Sequence, residues 1–359
     1  MSLPMSSQNQ EFVDGDIDLL IAGHKHRIHK AILSENSEVF ADLFALADPS
    51  ADAPEEIAVI ELHDDEEPFK ILLHILYGHE LAPYIPFLSR NTISLISRTL
   101  DLADKYNIEV PPLHAKLIPF IQRDWPDTLV AWDAMETHIA ALEAQLQEDL
   151  RNPAYRQDPD TIDVLDTILP EPASVIRFST DYKPEQARAI SSYIPAALYH
   201  LARLPPYIDV DDPTMNGGVY WDFDEIVRSA KRGLLTRTQL MCLMIGIDAL
   251  RLNSARFAFK EFPTAVAEDE VASEAEKTVI RKWWMEVGIE KMVGPYEMPD
   301  PLARMRELIE ELRTSTELEG AGSGFRERMR VVLEKERQEV WDGIVNGGTF
   351  CLFMFFYPD

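Results

Sequence analysis

The chain has 359 residues, 46% of them hydrophobic, which suits two or three packed units and is too apolar for a disordered protein. Its 62 acidic and 34 basic side chains give a net charge of −28, which argues against a nucleic-acid surface or an anionic membrane surface, because both need clustered Lys and Arg. Cys242 and Cys351 alone are too few for a disulfide framework or a four-cysteine zinc site, and the opening MSLPMSSQNQEF lacks the basic and apolar parts of a secretory signal.

Residues 1–12 are polar and expected to be disordered. Leu19, Leu20, Ile21 and Ile28 flank a turn at Gly23 and predict a hairpin. Two short helical patterns follow, first Ile32 and Leu33, then Val39, Phe40, Leu43 and Phe44 at spacings of three and four. A Pro- and Asp-rich loop over 47–56 leads to a β-branched strand at 57–62. Asp64 or Asp65 is placed to cap the next helix, whose Pro68 is tolerated only in a first turn and whose Phe69, Leu72, Leu73 and Leu76 share one face up to Tyr77-Gly78. Ile93, Ile96, Leu100 and Ala103 mark another helix, and 113–121 a further one after Pro111-Pro112. Beyond Trp125, helices are expected over 129–150, 184–204, 223–250, 279–293, 301–313 and 325–341, with a flexible connector over 315–324. The apolar run 350–357 is far shorter than the ~20 residues of a membrane helix, and such a run is an aggregation liability unless buried.

Three blocks in this order carry a family resemblance. They are His29-Lys30 followed by Leu33, Ser37 and Phe40; Phe69 with Leu72-Leu73 and Ile75-Leu76-Tyr77-Gly78; and Leu102-Ala103-Asp104-Lys105-Tyr106. Together they resemble a BTB/POZ domain. The resemblance implies an α+β fold over residues 13–122, a small β-sheet with packed helices, followed by a mainly α-helical region over 123–359. The Pro170-Glu171-Pro172 segment, the run IPAALYHLARL at 194–204 and the Arg337-x-x-Val340-Trp341 motif also resemble a large group of fungal BTB proteins.

Several constellations invite a site. His24 and His26 share a strand face, as two zinc ligands could, but His29 falls on the other side, so no metal is expected. The resemblance makes His29 a structural residue at the hairpin-to-helix junction, hydrogen-bonded to backbone. It also places Asp18 and Lys30 at the positions of a charged pair that some BTB domains hold in a groove near their dimer interface. Two solvated charges are the alternative reading. Some BTB domains bind cullin-3 through a hydrophobic-x-Glu element, and the nearest match here is Leu46-Ala47-Asp48. The glycines at 320–324 lack the Gly-Lys-Ser/Thr of a phosphate loop, Ser323 lacks a nucleophile elbow, and 209–212 lacks the Gly and Glu of a calcium loop. Trp283, Trp284 and Trp341 read as core.

The expectation is a non-enzymatic interaction protein of the cytoplasm or nucleus without cofactors. It would form a homodimer through its BTB domain and act as an adaptor or scaffold for protein partners, with cullin-3 among the candidates. A ubiquitin-ligase substrate adaptor and an enzyme with an unrecognised site in the helical region are the alternatives.

Overall fold

The computed structural model describes residues 14–46, 57–151, 171–181, 193–204, 230–294 and 298–350, and divides into one unit ending at Arg123 and another beginning at Asp124. The first unit opens with β1 (Ile17–Ile21) and β2 (His24–Ile28), paired antiparallel. The two-residue turn between them has positive φ at both Ala22 (48°) and Gly23 (82°), the geometry that matches the twist of a tight hairpin. Helices α1 (Lys30–Asn36) and α2 (Glu38–Leu46) follow. Strand β3 (Val59–Leu62) then pairs parallel with β1, giving the sheet order β2-β1-β3. Helices α3 (Glu66–Leu76), α4 (Thr92–Lys105) and α5 (Val110–Asp124) complete the unit. The last begins at Val110 rather than at the expected 113, because proline is tolerated in a helix's first turn. Asp65 is the N-cap of α3 but makes no side-chain cap bond; it pairs with Arg98, and Asp64 accepts from Lys105 and Tyr106. The end of α3 is set by Gly78 at φ +73°, where His79 N–H donates to the His74 carbonyl at 2.8 Å.

The core of this unit joins the three sequence blocks. Phe40 stacks on Tyr106 at 4.3 Å between ring centres, and Phe69 meets both rings edge-on, at 6.3 and 6.0 Å. Ser37 ties the same point by hydrogen bonds: its hydroxyl donates to the Tyr106 carbonyl at 2.5 Å and accepts from Phe40 N–H at 3.1 Å, capping α2.

The second unit is helical throughout its described residues: α6 (Leu129–Arg151), α7 (Pro172–Asp181), α8 (Ile194–Ala202), α9 (Arg237–Arg256), α10 (Phe262–Glu268), α11 (Glu274–Trp283), α12 (Ile289–Val293), α13 (Pro301–Thr314) and α14 (Ser323–Val345). Short π-helical turns at Phe257–Glu261 and Trp284–Gly288 link α9 to α10 and α11 to α12. Two capping boxes move starts away from those expected. Thr236 with Gln239 opens α9 at 237, inside the helix expected over 223–250, of which 223–229 lie outside the described residues, and Ser273 with Glu276 opens α11 at 274 instead of 279. Helix α7 was not anticipated; the Glu171 carboxylate accepts from Ala173 and Ser174 N–H at 2.9 and 2.6 Å and caps it. The segment 315–324 is not a flexible connector, since it holds a 3₁₀ turn at Thr316–Leu318 and buries Leu318 and Ala321.

Two buried ion-pair networks cross-link this unit. Arg203 holds Glu136 (2.8 and 3.0 Å) and Asp300 (3.0 Å) over the face of Trp132, while the Tyr199 hydroxyl donates to Asp300 at 2.7 Å. Arg337 donates to Asp133 at 2.6 Å and to the Leu302 carbonyl at 2.8 Å. Trp341 packs on Trp132 at 5.4 Å, and Trp284 donates to the Ala258 carbonyl at 2.8 Å, so these indoles are core, as expected.

Candidate interaction site

The register of the hairpin decides what surrounds Asp18. The two-residue turn sets Asp18 opposite Arg27 and Leu20 opposite Lys25, so all four side chains share one sheet face. Arg27 grips the carboxylate from Nε at 2.9 Å and Nη2 at 3.3 Å, and Lys25 Nζ reaches it at 3.3 Å. With these partners Asp18 is only 2% exposed, so its carboxylate is not a solvated charge. The Arg27 hydrogen bonds lower its pKa from the usual carboxylate value; burial opposes them, and Lys25 adds to them. Asp18 thus pairs with Arg27 and Lys25 across the hairpin. Lys30 stands at the first turn of α1, where its backbone N–H donates to Asp16 Oδ1 at 2.7 Å.

His29 does sit at the hairpin-to-helix junction, but its ring does not serve as the cap of α1. Its N–H donates to the Tyr77 hydroxyl at 2.9 Å, and its Nδ1 lies 3.1 Å from the same oxygen. Its Nε2 faces Asp14 at 3.3 Å. The first and second sequence blocks are therefore latched through one phenol oxygen.

His24 and His26 share a face, as expected, and both point at Glu66 at the start of α3, His24 Nδ1 at 2.6 Å and His26 Nε2 at 3.4 Å. Lys70 Nζ takes the same carboxylate at 2.7 Å. Burial lowers the pKa of His26, and Glu66 raises it in part. For Glu66, burial acts upward but is outweighed by Lys70 and the two histidines, so its pKa falls. A cation is already in place on this carboxylate, and among the described residues no group of three or more His, Cys, Asp or Glu could hold a metal ion.

The other predicted element lies at the end of α2. Leu46 is 89% exposed, and Val39 two turns earlier is also exposed on a helix whose Phe40 and Phe44 face the core. The pattern leaves Val39, Leu43 and Leu46 along one outward stripe. Asp48 falls outside the described residues. The phosphate-loop reading of 320–324 has a structural counter-argument: the Gly322 N–H already donates to Glu276 Oε1 at 3.0 Å. The segment 209–212 lies outside the described residues. Among those described, no helix is long and apolar enough to cross a membrane.

Arg27, Lys25 and Glu66 were absent from the sequence-derived site. Arg27 and Lys25 were recoverable from the Ala22-Gly23 turn, which alone fixes the cross-strand partner of Asp18. Glu66 approaches from a separate helix and left no local signal. Residues 5–117 match the family model described as the BTB/POZ domain. No curated protein and no solved structure matches the chain.

Proposed function

We propose that this chain, whose N-terminal unit is a BTB/POZ domain, is a non-enzymatic adaptor or scaffold that self-associates through that domain while its helical region selects a second partner. The domain is a protein-interaction module, and its family match is the observation that carries the reading. The buried Asp18 carboxylate, held by the part-exposed Arg27 and the exposed Lys25, supports a place for Asp18 in the association surface, because a carboxylate fixed by its partners is positioned rather than averaged. His29 and Lys30 frame the same hairpin-to-helix corner. The cytoplasm or nucleus is the proposed location. Light scattering of the full chain at micromolar concentration tests the proposal. A dimer is expected, with a reduced dimer fraction in Asp18→Asn at unchanged circular dichroism; a wild-type monomer overturns self-association.

The exposure of Leu46 favours a second reading, a substrate adaptor of a cullin-3 ubiquitin ligase with Leu46 and Asp48 as the contact. A cullin-3 amino-terminal fragment should then be retained by the wild-type chain and lost from Leu46→Ala. Equal retention by both refutes the assignment of Leu46.

A further inference from the structure

Helix α9 is apolar on two opposite sides. From Leu240 to Leu250 it carries a single charge, Asp248. One side packs inward, with Cys242, Leu243, Gly246, Ile247 and Leu250 buried. On the other, Leu240, Met241, Met244, Ile245 and Leu252, with Phe259 of the following π-helical turn, are 37–71% exposed. At roughly 3.6 residues per turn, Met241, Ile245 and Leu252 fall within about 40° of one line along the helix. From Met241 to Phe259 this row runs roughly 27 Å at 1.5 Å per residue. Single apolar side chains on a surface are ordinary, whereas a continuous row of them marks an interaction face.

The charges beside this row have the opposite balance to the chain. Arg237, Arg251, Arg256 and Lys260 stand against Asp248 and Glu261, in a protein whose net charge is −28. Arg251 lies 3.8 Å from Asp248 and Arg256 lies 2.9 Å from Glu261. Arg237 and Lys260, toward the two ends of the row, form no ion pair among the described residues. A second copy docked on the same face would set this cation surplus against itself, which disfavours self-pairing. An anionic membrane would match the cations, but the charge of the rest of the chain opposes its approach. A helix with an apolar stripe between acidic residues matches both features. Its stripe packs on the row by ridge and groove, its acidic flanks meet the cations, and the two methionines adapt to its contour.

We infer that the exposed face of α9 docks an amphipathic helix of a partner protein, with an apolar stripe flanked by Asp and Glu. The inference rests on the reading that the helical unit selects a second partner, and it gives that partner a chemical class. Covering the row takes about five turns of partner helix.

Photocrosslinking in the full chain tests this. Met244→Cys, with Cys351→Ser present and the buried Cys242 left in place, is labelled with a benzophenone maleimide. The probe is a designed helical peptide of about five turns, with a leucine stripe between glutamates, and its twin carries lysine for every glutamate. The acidic peptide should be captured at least tenfold more than the twin, and Arg237→Glu with Lys260→Glu should bring the two within twofold. Adducts within one chain, between two copies, or only with phosphatidylserine vesicles overturn the inference, as do equal capture of the twins and no capture. Fluorescence anisotropy of the labelled acidic peptide against the unlabelled chain is a second readout. Met241→Gln with Met244→Gln should weaken binding at least tenfold at unchanged circular dichroism, and unchanged binding also overturns the inference. Failure here leaves the light-scattering dimer untouched, whereas a wild-type monomer removes self-association and leaves this surface standing.

Discussion

Replacing Ser37 by alanine isolates the joint that closes the first unit. The hydroxyl serves two backbone groups at once, the Phe40 N–H at the start of α2 and the Tyr106 carbonyl at the end of α4. Loss of an N-cap costs about 1 kcal/mol. Leaving a buried acceptor unpaired costs about 1–3 kcal/mol more, because Ser37 is buried and water does not replace it. The sum, about 2–4 kcal/mol, is a large share of a domain stability of about 5–15 kcal/mol. With a urea slope of about 1–3 kcal/mol per molar, the midpoint of the first unit should fall by roughly 1–3 M. All six tryptophans lie at position 125 or later, so their fluorescence reports the second unit, and hydrogen exchange of peptides from α2 and α4 is the appropriate probe of the first. A shift below roughly 0.3 M in those peptides would refute the assignment of the joint to this hydroxyl.

Burial, with smaller contributions from His79 and Lys70, pushes His74 down to about 4, and the ring stacks on Tyr84 at 3.9 Å. The unfolded chain, with a pKa near 6.5, binds this proton first, so stability is full above about 6.5 and is lost as pH falls toward 4; His26 acts in the same direction. Hydrogen exchange of α3 at pH 7 and pH 5 should show a loss of roughly 1–2 kcal/mol that is smaller in His74→Phe. Burial and the neighbouring Glu261 and Glu339 raise Glu336, so the folded state holds its proton longer than the unfolded one and stability falls as pH rises past the unfolded value. Glu336→Gln should therefore raise the tryptophan-monitored unfolding free energy by about 1–2 kcal/mol at pH 8 and much less at pH 5. Arg203→Met leaves Glu136 and Asp300 without their shared cation, and should cost about 3–5 kcal/mol in the same assay.

The first unit was legible because its signals are local and redundant. The Gly23 turn, the apolar spacing of α2 and α3, and the Tyr77-Gly78 stop each depend on residues within one turn of helix or hairpin. Its side-chain partners were harder to see. Glu66 meets His24 from 42 positions away in sequence, and Ser37 meets Tyr106 from 69, distances over which a pattern of residue types carries no register. In the second unit, two starts were misplaced although Thr236-x-x-Gln239 and Ser273-x-x-Glu276 stood in the sequence; long apolar windows outweighed these caps. The segment 315–324 is polar and glycine-rich like a linker, yet Leu318 anchors it in the core, which one apolar residue cannot announce.

The two units also differ in when they can be finished during synthesis. The aromatic joint of the first core is complete once Tyr106 has been made, since Phe40, Phe69 and Ser37 all precede it, and α5 adds its buried Leu113, Leu117 and Ile121 shortly after. The second core joins α6 to α14 through Asp133 and Arg337, 204 positions apart, so its opening helix waits almost to the end of translation for its partner. At about 5–20 residues per second that wait is on the order of 10–40 seconds. The side of α6 that carries Trp132 and Asp133 thus waits for Trp341 and Arg337 through most of elongation, whereas the aromatic joint of the first unit is complete long before.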